Sequence, residues 1–422
     1  MASTPYQTIF SPVQWARLQI QFQQAVKSPF YRRHVGLKQT QKLKSVAEFF
    51  RLPITTKADL VNNNLDFLAV DAACICEWVT TSGTTGKPVR IALSKRDIQR
   101  LAENEAAALR LAGMRAGDGL IIAVGMDRLF VAGLAYWLGA QKLGAVCLRS
   151  GPALVDLSSI SITPLGPSGR WFIIGVPSLL GAGFRLADGL PPHISGVIGI
   201  GESLCDADLN PNTICRILQD STHAPVLSTY ASTETCSTFA QGPQCRANHL
   251  NPRMAIIEIL NDRSHPVAPG TPGRVVITPL GQHAMPLLRF DTGDIATLYT
   301  DRCPCGRRTP RLGPILGRAA QLLKIQGVSV FATAIIDLVR KVYPGMDTAI
   351  LADRDSLGGD RITIYVVCPA HRRDMLKKRF DRAAQSQLKW LPPVQYCQAQ
   401  AITEIRALRP SRKATIFIDA RY

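Results

Sequence analysis

The sequence predicts an α/β protein with a large N-terminal domain and a small C-terminal α+β domain. The chain has 422 residues, which is enough for two or three domains. Between residue 78 and about residue 230, short apolar segments alternate with longer helical patterns, as in a mainly parallel sheet covered by helices. From about residue 319, a block of roughly 100 residues repeats strand and helix patterns on a smaller scale.

The first 76 residues are predicted to be mainly helical. Pro53 and the pair Thr55-Thr56 are helix-start signals, so a helix is expected to begin at Lys57. Buried strands are then predicted at Gly119–Val124, Val146–Leu148, Trp171–Gly175, Gly196–Ile200 and Val226–Ser228. Helices are predicted between them at Ser94–Leu111, Ala132–Leu143 and Ser178–Ala187.

From about residue 245, the pattern changes to strands joined by turns that contain glycine and proline. The domain boundary is expected near Gly317–Ala320, which gives an N-terminal domain of residues 1–317 and a C-terminal domain of residues 318–422. The second domain is predicted to contain a helix at Ala332–Val342, strands at Ala349–Leu351 and Arg361–Val367, a helix near residues 371–389 and short closing strands.

Composition and charge exclude some classes of protein. Hydrophobic residues make up 46% of the chain and charged residues 19%, which excludes a disordered chain. The net charge of +18 favours anionic ligands such as nucleotides, CoA, an acidic carrier protein or nucleic acid. The densest basic stretch, His371–Arg382, also contains acidic residues and is interpreted as a solvated helix face. Because no known nucleic-acid-binding motif is present, nucleic acid is not an expected partner.

Most of the eleven cysteines stand singly, and the N-terminal residues lack the charged start and apolar run of a signal peptide. A reduced, cytoplasmic protein is therefore expected. The most apolar stretch, Leu120–Leu148, is interrupted by Asp127, Arg128 and Lys142, so no membrane span is expected. A homodimer is left open.

The segment Thr80–Pro88 is rich in glycine and hydroxyl residues. Its glycines allow a tight turn whose N–H groups can face a phosphate, and Lys87 adds positive charge. It is not a Walker A loop, because its glycines are too close together and Pro88 follows the lysine in place of Ser or Thr. The segment predicts either a phosphate-binding loop or an ordinary surface loop.

Two further segments carry polar side chains of possible function. Ser228–Glu234 places an aromatic ring beside hydroxyls and a carboxylate, although an ordinary strand end has the same composition. Met285–Asp294 ends in a Thr-Gly-Asp turn, which suits the presentation of a carboxylate to a ribose diol or is a plain turn.

In this order and at this spacing, the three segments resemble the motifs of the adenylate-forming enzyme superfamily. Most of the chain is similar to the phenylacetate–CoA ligase family within it. Those enzymes activate a carboxylic acid with ATP as an acyl-adenylate and pass the acyl group to CoA or another nucleophile. The resemblance implies a large N-terminal domain of several layers, a small mobile C-terminal domain and an active site in the cleft between them. It extends over Leu52–Lys57, Gly175–Ser178, Gly201–Ser203, Cys303–Arg307, Ile315–Arg318, Gly327–Phe331, Ser411–Ala414 and Ile418–Arg421.

The resemblance also implies roles for individual residues, with ATP, Mg²⁺ and CoA as cofactors and substrates. Lys413 would swing in during adenylation, Glu234 would hold Mg²⁺, and Thr233 would contact phosphate. The ATP-binding residues would be Thr81, Ser82, Gly83, Thr84, Thr85, Gly86 and Lys87 over the phosphates, Gly201 and Glu202 along the nucleotide pocket, Tyr230 on adenine, Ser232 in the same motif, and Asp294 with Arg318 at the ribose.

A set of three cysteines and one histidine matches the ligands of a closed structural zinc site. The set comprises Cys245, His249, Cys303 and Cys305. Members of the similar ligase family often carry such a cluster. His265 and His283 are alternative ligands, and reduced cysteines without a metal are the alternative interpretation.

The chain departs from the superfamily pattern at the domain junction. The superfamily usually has Gly-Arg-x-Asp-Asp there, and the first Asp is the hinge between half-reactions. After Gly317-Arg318-Ala319, this chain has Ala320 and Gln321 in place of the two acidic residues. Adenylation is therefore expected to survive more securely than transfer to CoA. The pantetheine arm of a carrier protein, or an amine, is an alternative acceptor.

The resemblance also implies an acyl pocket around Met126, Asp127 and Phe130, because this segment aligns with the stretch that lines the pocket in the similar family. Phe130 suits an aromatic acid, whereas Asp127 would pair with a polar substituent of the acid or form a solvated pair with Arg128. The prediction is an ATP-dependent, AMP-forming acid–thiol ligase that acts on an aromatic acid. The alternatives are an adenylation enzyme of secondary metabolism that loads a carrier protein or amine, and a non-catalytic adenylate-binding protein.

Overall fold

The computed structural model describes residues 11–81, 89–127, 129–152, 168–186, 194–318, 322–325, 328–354, 360–388, 390–408 and 416–421. The chain divides into two compact units, Met1–Pro314 and Ile315–Tyr422. The boundary predicted after residue 317 falls close to this division.

The first unit contains helices and strands in alternation. Its helices are α1 (Pro12–Ala25), α2 (Pro29–Arg33), α3 (Val46–Phe50), α4 (Lys57–Asn62), α5 (Lys95–Leu111), α6 (Val131–Leu143), α7 (Pro177–Leu186) and α8 (Thr213–Thr222). Its strands are β1 (Ile75–Thr80), β2 (Arg90–Ser94), β3 (Gly119–Ala123), β4 (Val146–Arg149), β5 (Trp171–Gly175), β6 (Ile194–Gly199), β7 (Val226–Ser232), β8 (Ser237–Ala240), β9 (Asn248–His249), β10 (Ala255–Leu260), β11 (Pro272–Pro279), β12 (Phe290–Tyr299) and β13 (Arg311–Leu312). Short 3₁₀ helices lie at Asn64–Phe67 and Ala72–Cys74.

One large sheet organises the first unit, with the strand order β10-β11-β12-β13-β9-β8-β7-β6-β5-β3-β4. The half from β4 to β7 is parallel, and the half from β7 to β10 is antiparallel. Ile122 and Ile174 pack against α5 and α6, whereas Ile121 and Ile173 pack against α7 and α8. Because helices cover both faces, the parallel strands are apolar along their whole length. The predicted α/β fold class is confirmed.

The N-terminal helices pack around the antiparallel hairpin of β1 and β2. Leu18 and Phe22 of α1 share one buried cluster with Leu60 of α4 and Ile91 of β2. Helix α4 begins at Lys57, as predicted. The reason is local, since the hydroxyl of the preceding Thr56 accepts a hydrogen bond from Asp59 N.

The second unit has its own sheet and core. Its strands are β14 (Gly317–Arg318), β15 (Leu322–Ile325), β16 (Val328–Phe331), β17 (Thr348–Arg354), β18 (Asp360–Val366), β19 (Val394–Tyr396) and β20 (Phe417–Asp419), and its helices are α9 (Ala332–Val342), α10 (Arg373–Gln387) and α11 (Ala399–Ala407). A 3₁₀ helix lies at Ala370–Arg372. The central sheet has the order β19-β18-β17-β20.

Helices α9 and α10 pack their apolar faces onto this small sheet. The predicted helix at Ala332–Val342 has the bounds observed for α9. Helix α11 was not predicted, because it fully buries only Ile402 and therefore lacks a clear apolar stripe. Within the described ranges, no helix has both the length and the apolar character that crossing a membrane would require.

Candidate active site

A hydrogen bond between Tyr230 and Asp294 joins two of the predicted motifs. Tyr230 lies in β7 and Asp294 in β12, 64 residues apart along the chain. Tyr230 Oη donates to Asp294 Oδ2 over 2.8 Å, and both residues are buried. Burial, with a smaller contribution from the Asp294 charge, raises the pKa of Tyr230 well above its ordinary value. The phenol therefore stays protonated and keeps donating to the carboxylate.

Asp294 is presented by an irregularity in β12. Arg274 of β11 pairs with Ile295, but Val276 pairs with Asp291, so Thr292-Gly293-Asp294 lies outside the regular ladder. Gly293 has φ +75°, a conformation that glycine adopts without steric cost. The predicted Thr-Gly-Asp turn is thus a bulge, which turns a strand side chain away from its regular direction.

Glu234 lies in the turn between β7 and β8, and its backbone is held by a distant residue. Gln282 Nε2 donates to Glu234 O over 2.8 Å. The Glu234 side chain is only 10% exposed, and its Oε1 lies 3.7 Å from Lys57 Nζ. A nearly buried carboxylate therefore faces an ammonium from helix α4.

Arg100 of α5 holds the same turn through hydrogen bonds from its guanidinium. Its guanidinium donates to Cys236 O at 2.7 Å, to Ser237 Oγ and Met254 O at 2.8 Å each, and to Leu280 O at 2.7 Å. Burial lowers the pKa of Arg100, but its carbonyl partners compensate for the lost hydration. Arg100 thus ties the turn after Glu234 to the rest of the unit.

The two residues before Glu234 have local roles in this turn. Ser232 Oγ accepts a hydrogen bond from Thr235 N over 3.3 Å and lies 2.9 Å from Thr235 Oγ1. Thr233 is half-buried, and its carbonyl accepts a contact from Cys236 Sγ. Ser232 therefore shapes the turn that carries Thr233 and Glu234.

The structure describes only one end of the predicted phosphate-binding loop. Thr81 is buried, its N–H donates to Val89 O, and its hydroxyl accepts from Val89 N. These two bonds close the base of the segment between them. Predicted site residues outside the described residues are Ser82, Gly83, Thr84, Thr85, Gly86, Lys87 and Lys413. Arg318 lies in β14 of the second unit and is half-buried.

Glu202 is engaged with the start of helix α7. Its carboxylate accepts Ser178 N at 2.9 Å and Ser178 Oγ at 2.8 Å, which places an anion at a helix N-terminus. Gly201 has φ +70° at the turn after β6. Glu202 therefore links the turn after β6 to the start of α7, in addition to any contact with a nucleotide.

The residues predicted for the acyl pocket precede helix α6. Met126 is 36% exposed and Asp127 is exposed, whereas Phe130 packs against the cluster on the α5–α6 face of the sheet. Phe130 N donates to Asp127 O over 3.1 Å, which closes a tight turn. A side chain at Gly133 would collide with the carbonyl of Gly125, so only glycine fits there.

The four predicted metal ligands converge in the structure. The ligand atoms of Cys245, His249, Cys303 and Cys305 all lie within 4.8 Å of one another. His249 Nε2 faces Cys305 Sγ at 3.3 Å, while its Nδ1 lies 2.7 Å from Thr309 Oγ1. The alternative His283 lies elsewhere, since its Nδ1 contacts Ser94 Oγ at 2.9 Å.

The thiols of this cluster differ in acidity. Burial raises the pKa of Cys245 to about 12. Burial also opposes ionisation of Cys305, but hydrogen bonds from Arg307 and the neighbouring thiols lower its pKa to about 7. Burial and nearby arginines lower the pKa of His249, which keeps its imidazole neutral. Neutral imidazole and thiolate are the forms that bind a metal.

Comparisons with known proteins reveal similar ligases. The chain is 29% identical to the phenylacetate–coenzyme A ligase of Thermus thermophilus over 331 residues, which cover 75% of this chain and 72% of the relative. It is 28% identical to the phenylacetate–coenzyme A ligase of Aromatoleum evansii over 357 residues, 80% of this chain and 77% of the relative. No family model matches the sequence.

The fold is shared with a solved acyl-CoA ligase. A 2-hydroxyisobutyryl-CoA ligase in its postadenylation state, in complex with R3-HIB-AMP, superposes with a TM-score of 0.81 at 23% identity. The match covers 97% of this chain and 89% of that one. The predicted similarity and fold are confirmed by these comparisons.

Three residues of the candidate site had no role in the sequence-based prediction: Lys57, Arg100 and Gln282. Lys57 was part of a segment similar to the ligase family, but nothing local linked it to Glu234. Arg100 and Gln282 lie in unremarkable polar positions, and only tertiary contacts reveal them.

Proposed function

We propose that this chain, a homologue of the phenylacetate–coenzyme A ligases with the adenylate-forming fold, is an ATP-dependent, AMP-forming acid–thiol ligase. It would convert a carboxylic acid to an acyl-adenylate and transfer the acyl group to CoA. The observation that carries the proposal is the hydrogen bond from Tyr230 to Asp294, which joins the proposed adenine and ribose contacts.

Each motif then has a part in adenylation. Asp294 would accept hydrogen bonds from the ribose hydroxyls, and Tyr230 would support it while its ring packs on adenine. Glu234 and Thr233 would face the phosphates, with Thr81–Lys87 over them and Lys413 near the reacting oxygens. Mg²⁺, when bound, would neutralise phosphate charge. Because a carboxylate must approach a triphosphate, this concentration of positive charge lowers the barrier.

For the acid, we propose an aromatic compound. Support comes from Phe130 at the start of α6 and from the similarity to two phenylacetate–coenzyme A ligases. The exposed Asp127 beside it would select an acid with an amino or hydroxyl substituent.

For the acceptor, CoA is the first candidate and a carrier protein or amine the second. The second is motivated by Ala320 and Gln321 at the domain junction, where the superfamily has acidic residues. Cytoplasmic location, a homodimer and a role in secondary metabolism stay predictions.

We also propose a structural Zn²⁺ held by Cys245, His249, Cys303 and Cys305. The donor set fits zinc, and a maximum separation of 4.8 Å is compatible with a tetrahedral site, whose ligand atoms lie roughly 3.8 Å apart. Thr309 would orient the His249 ring through the contact at Nδ1, which leaves Nε2 to face the metal.

The proposed activity is tested by ATP–pyrophosphate exchange with a panel of aryl, arylacetic, hydroxyaryl, aminoaryl and fatty acids. Exchange reports adenylation alone, so it does not depend on the acceptor. We expect a signal with one class of aromatic acid, a loss of at least about 100-fold in Lys413→Ala, and no loss in Lys378→Ala, an exposed lysine of the same unit. Exchange with no acid, in protein that binds ATP, would favour the adenylate-binding alternative.

A further inference from the structure

We infer that Lys57 is a phosphate-binding residue, which pairs with Glu234 in the free protein and with the β- and γ-phosphates of bound MgATP. The inference rests on the proposed function and adds a residue to its nucleotide site. Its starting point is the 3.7 Å separation between Lys57 Nζ and Glu234 Oε1, with side chains 31% and 10% exposed. The ammonium is thus reachable from solvent, while the carboxylate is nearly enclosed.

The position of Lys57 is fixed by the fold. Thr55, two residues earlier, is built into the edge of β12: Thr55 N donates to Arg289 O, and Asp291 N donates to Thr55 O. The Thr55 hydroxyl also donates to Leu288 O over 2.7 Å. Lys57 therefore starts helix α4 from a rigid anchor on the strand that carries Asp294.

The nearby acid on the same helix is already engaged. Asp59 Oδ2 accepts hydrogen bonds from Thr56 N at 2.8 Å and Thr56 Oγ1 at 2.7 Å, as part of the helix cap. The Lys57 ammonium is directed instead to Glu234. Because 3.7 Å is longer than a hydrogen bond, this ion pair is loose enough to be exchanged for another anion.

The charges of Glu234 and phosphate explain why Lys57 would change its partner. If Glu234 holds Mg²⁺ as proposed, Lys57 would lose this partner, and its ammonium would be available to phosphate oxygens bound beside Glu234. During adenylation, a carboxylate oxygen bonds to the α-phosphorus and the bond from that phosphorus to the bridging oxygen breaks. The electron pair leaves with pyrophosphate, and no proton is needed. An ammonium at the departing phosphates would stabilise that growing charge.

The alternative is that Lys57 only neutralises Glu234. The two roles predict different effects on ligand binding. If Lys57 binds the β- and γ-phosphates, its loss weakens the binding of ATP and pyrophosphate but not of AMP, which lacks both groups. Calorimetric titration of MgATP, magnesium pyrophosphate and AMP therefore separates them. The variants are Lys57→Met, Lys57→Arg and Lys142→Met; Lys142 pairs with Glu103 at the same 3.7 Å, far out on the surface.

We expect Lys57→Met to weaken binding of MgATP and magnesium pyrophosphate at least about tenfold, and AMP less than about twofold. Lys57→Arg should recover most of the loss, and Lys142→Met should match the wild type. Equal losses for all three ligands, or no loss, would overturn the inference. A thermal melt of each variant identifies any that fails to fold. If Lys57→Met fails to fold, Lys57→Gln replaces it and is compared with Lys57→Arg. The deciding quantity is again the loss of binding for MgATP and magnesium pyrophosphate relative to the loss for AMP.

Pyrophosphate exchange on the same proteins separates this inference from the proposed function. If the wild type catalyses exchange and Lys57→Met binds and exchanges equally well, only the Lys57 inference fails. If the wild type binds MgATP without exchanging any acid, the proposed function fails while the binding ratios still decide about Lys57. A wild type that binds no nucleotide contradicts both.

Discussion

At Asp294, a buried hydroxyl keeps a carboxylate oriented without neutralising it. Tyr230 satisfies one oxygen, and its raised pKa means that it stays a donor over the whole range in which proteins are stable. The bulge at Gly293 turns the carboxylate out of the regular ladder. The backbone conformation of Gly293 and the hydroxyl of Tyr230 thus position the carboxylate of Asp294 for the proposed ribose contact.

Asp294→Asn should raise the KM for ATP in the exchange assay by about 10–100-fold, because a charged acceptor is lost. Tyr230→Phe should have a smaller effect, about 2–10-fold, because only a neutral donor is removed. Tyr299→Phe, at the other end of β12, is the control and should leave the KM unchanged. Equal KM values for Asp294→Asn and wild type would remove Asp294 from the ATP site.

The cysteine cluster predicts a metal that contributes to stability. Elemental analysis of purified protein should give about one zinc per chain, and chelation should lower Tm by at least about 5 °C. Cys303→Ser should lose the metal, whereas Cys74→Ser, at an exposed position outside the cluster, should retain it. Metal-free wild-type protein with an unchanged Tm would leave the cysteines as an ordinary reduced cluster.

At the scale of elements, helix α5 connects the core to the candidate site. Arg100 holds the loop after Glu234. Glu105, five residues further along the same helix, is buried against β8. The hydroxyl of Thr238 donates to Glu105 Oε1, but Glu105 Oε2 has no hydrogen-bond partner within the described part of the chain. Burial raises the pKa of Glu105 to about 7. The helix therefore carries a carboxyl group that is more stable when protonated.

This predicts a pH-dependent gain from Glu105→Gln. Below about pH 4.5, the carboxyl is protonated in both folded and unfolded chains, so the substitution should have little effect. As the pH rises towards 7, the unfolded chain releases a proton that the folded chain keeps, so the wild type loses stability and the variant does not. At pH 8, the variant should melt at least about 3 °C higher.

The control for this measurement is Glu103→Gln on the same helix, since Glu103 is exposed and paired with Lys142. Its Tm difference from wild type should be small at every pH. A Glu105→Gln difference that stays constant between pH 5 and pH 8 would show that Glu105 is ionised in the folded protein throughout.

At the scale of the whole molecule, the two units have separate cores. The second unit buries Ile350, Ile362 and Ile364 of its sheet against Val339 and Phe380 of its helices. This is a complete layer of sheet and helices of the kind that supports an independent domain.

A fragment of residues 315–422 should therefore fold alone. We expect a cooperative thermal transition by circular dichroism and dispersed amide resonances. Ile350→Asp in the same fragment places a charge in the core and should abolish both signals. A wild-type fragment without a cooperative transition would show that the second unit needs the first in order to fold.

The sequence alone determined the order and nature of the elements, because their signals are local. A cap at Thr56 starts α4 at Lys57, and an apolar stripe sets the bounds of α9. It also determined the resemblance to ligases and the four members of the cysteine–histidine set, since residue type and order are enough for both. Where a local signal is weak, as in α11, prediction failed.

Only the tertiary structure decided which residues act together. Lys57 meets Glu234, Arg100 supports the turn after it, and Tyr230 meets Asp294. None of these pairs is encoded by spacing, because each joins residues from elements that are far apart along the chain. The physical reason is that a buried charge or hydroxyl without a partner costs free energy. Its partner comes from whichever segment packs against it in the folded chain, which can be far away in sequence.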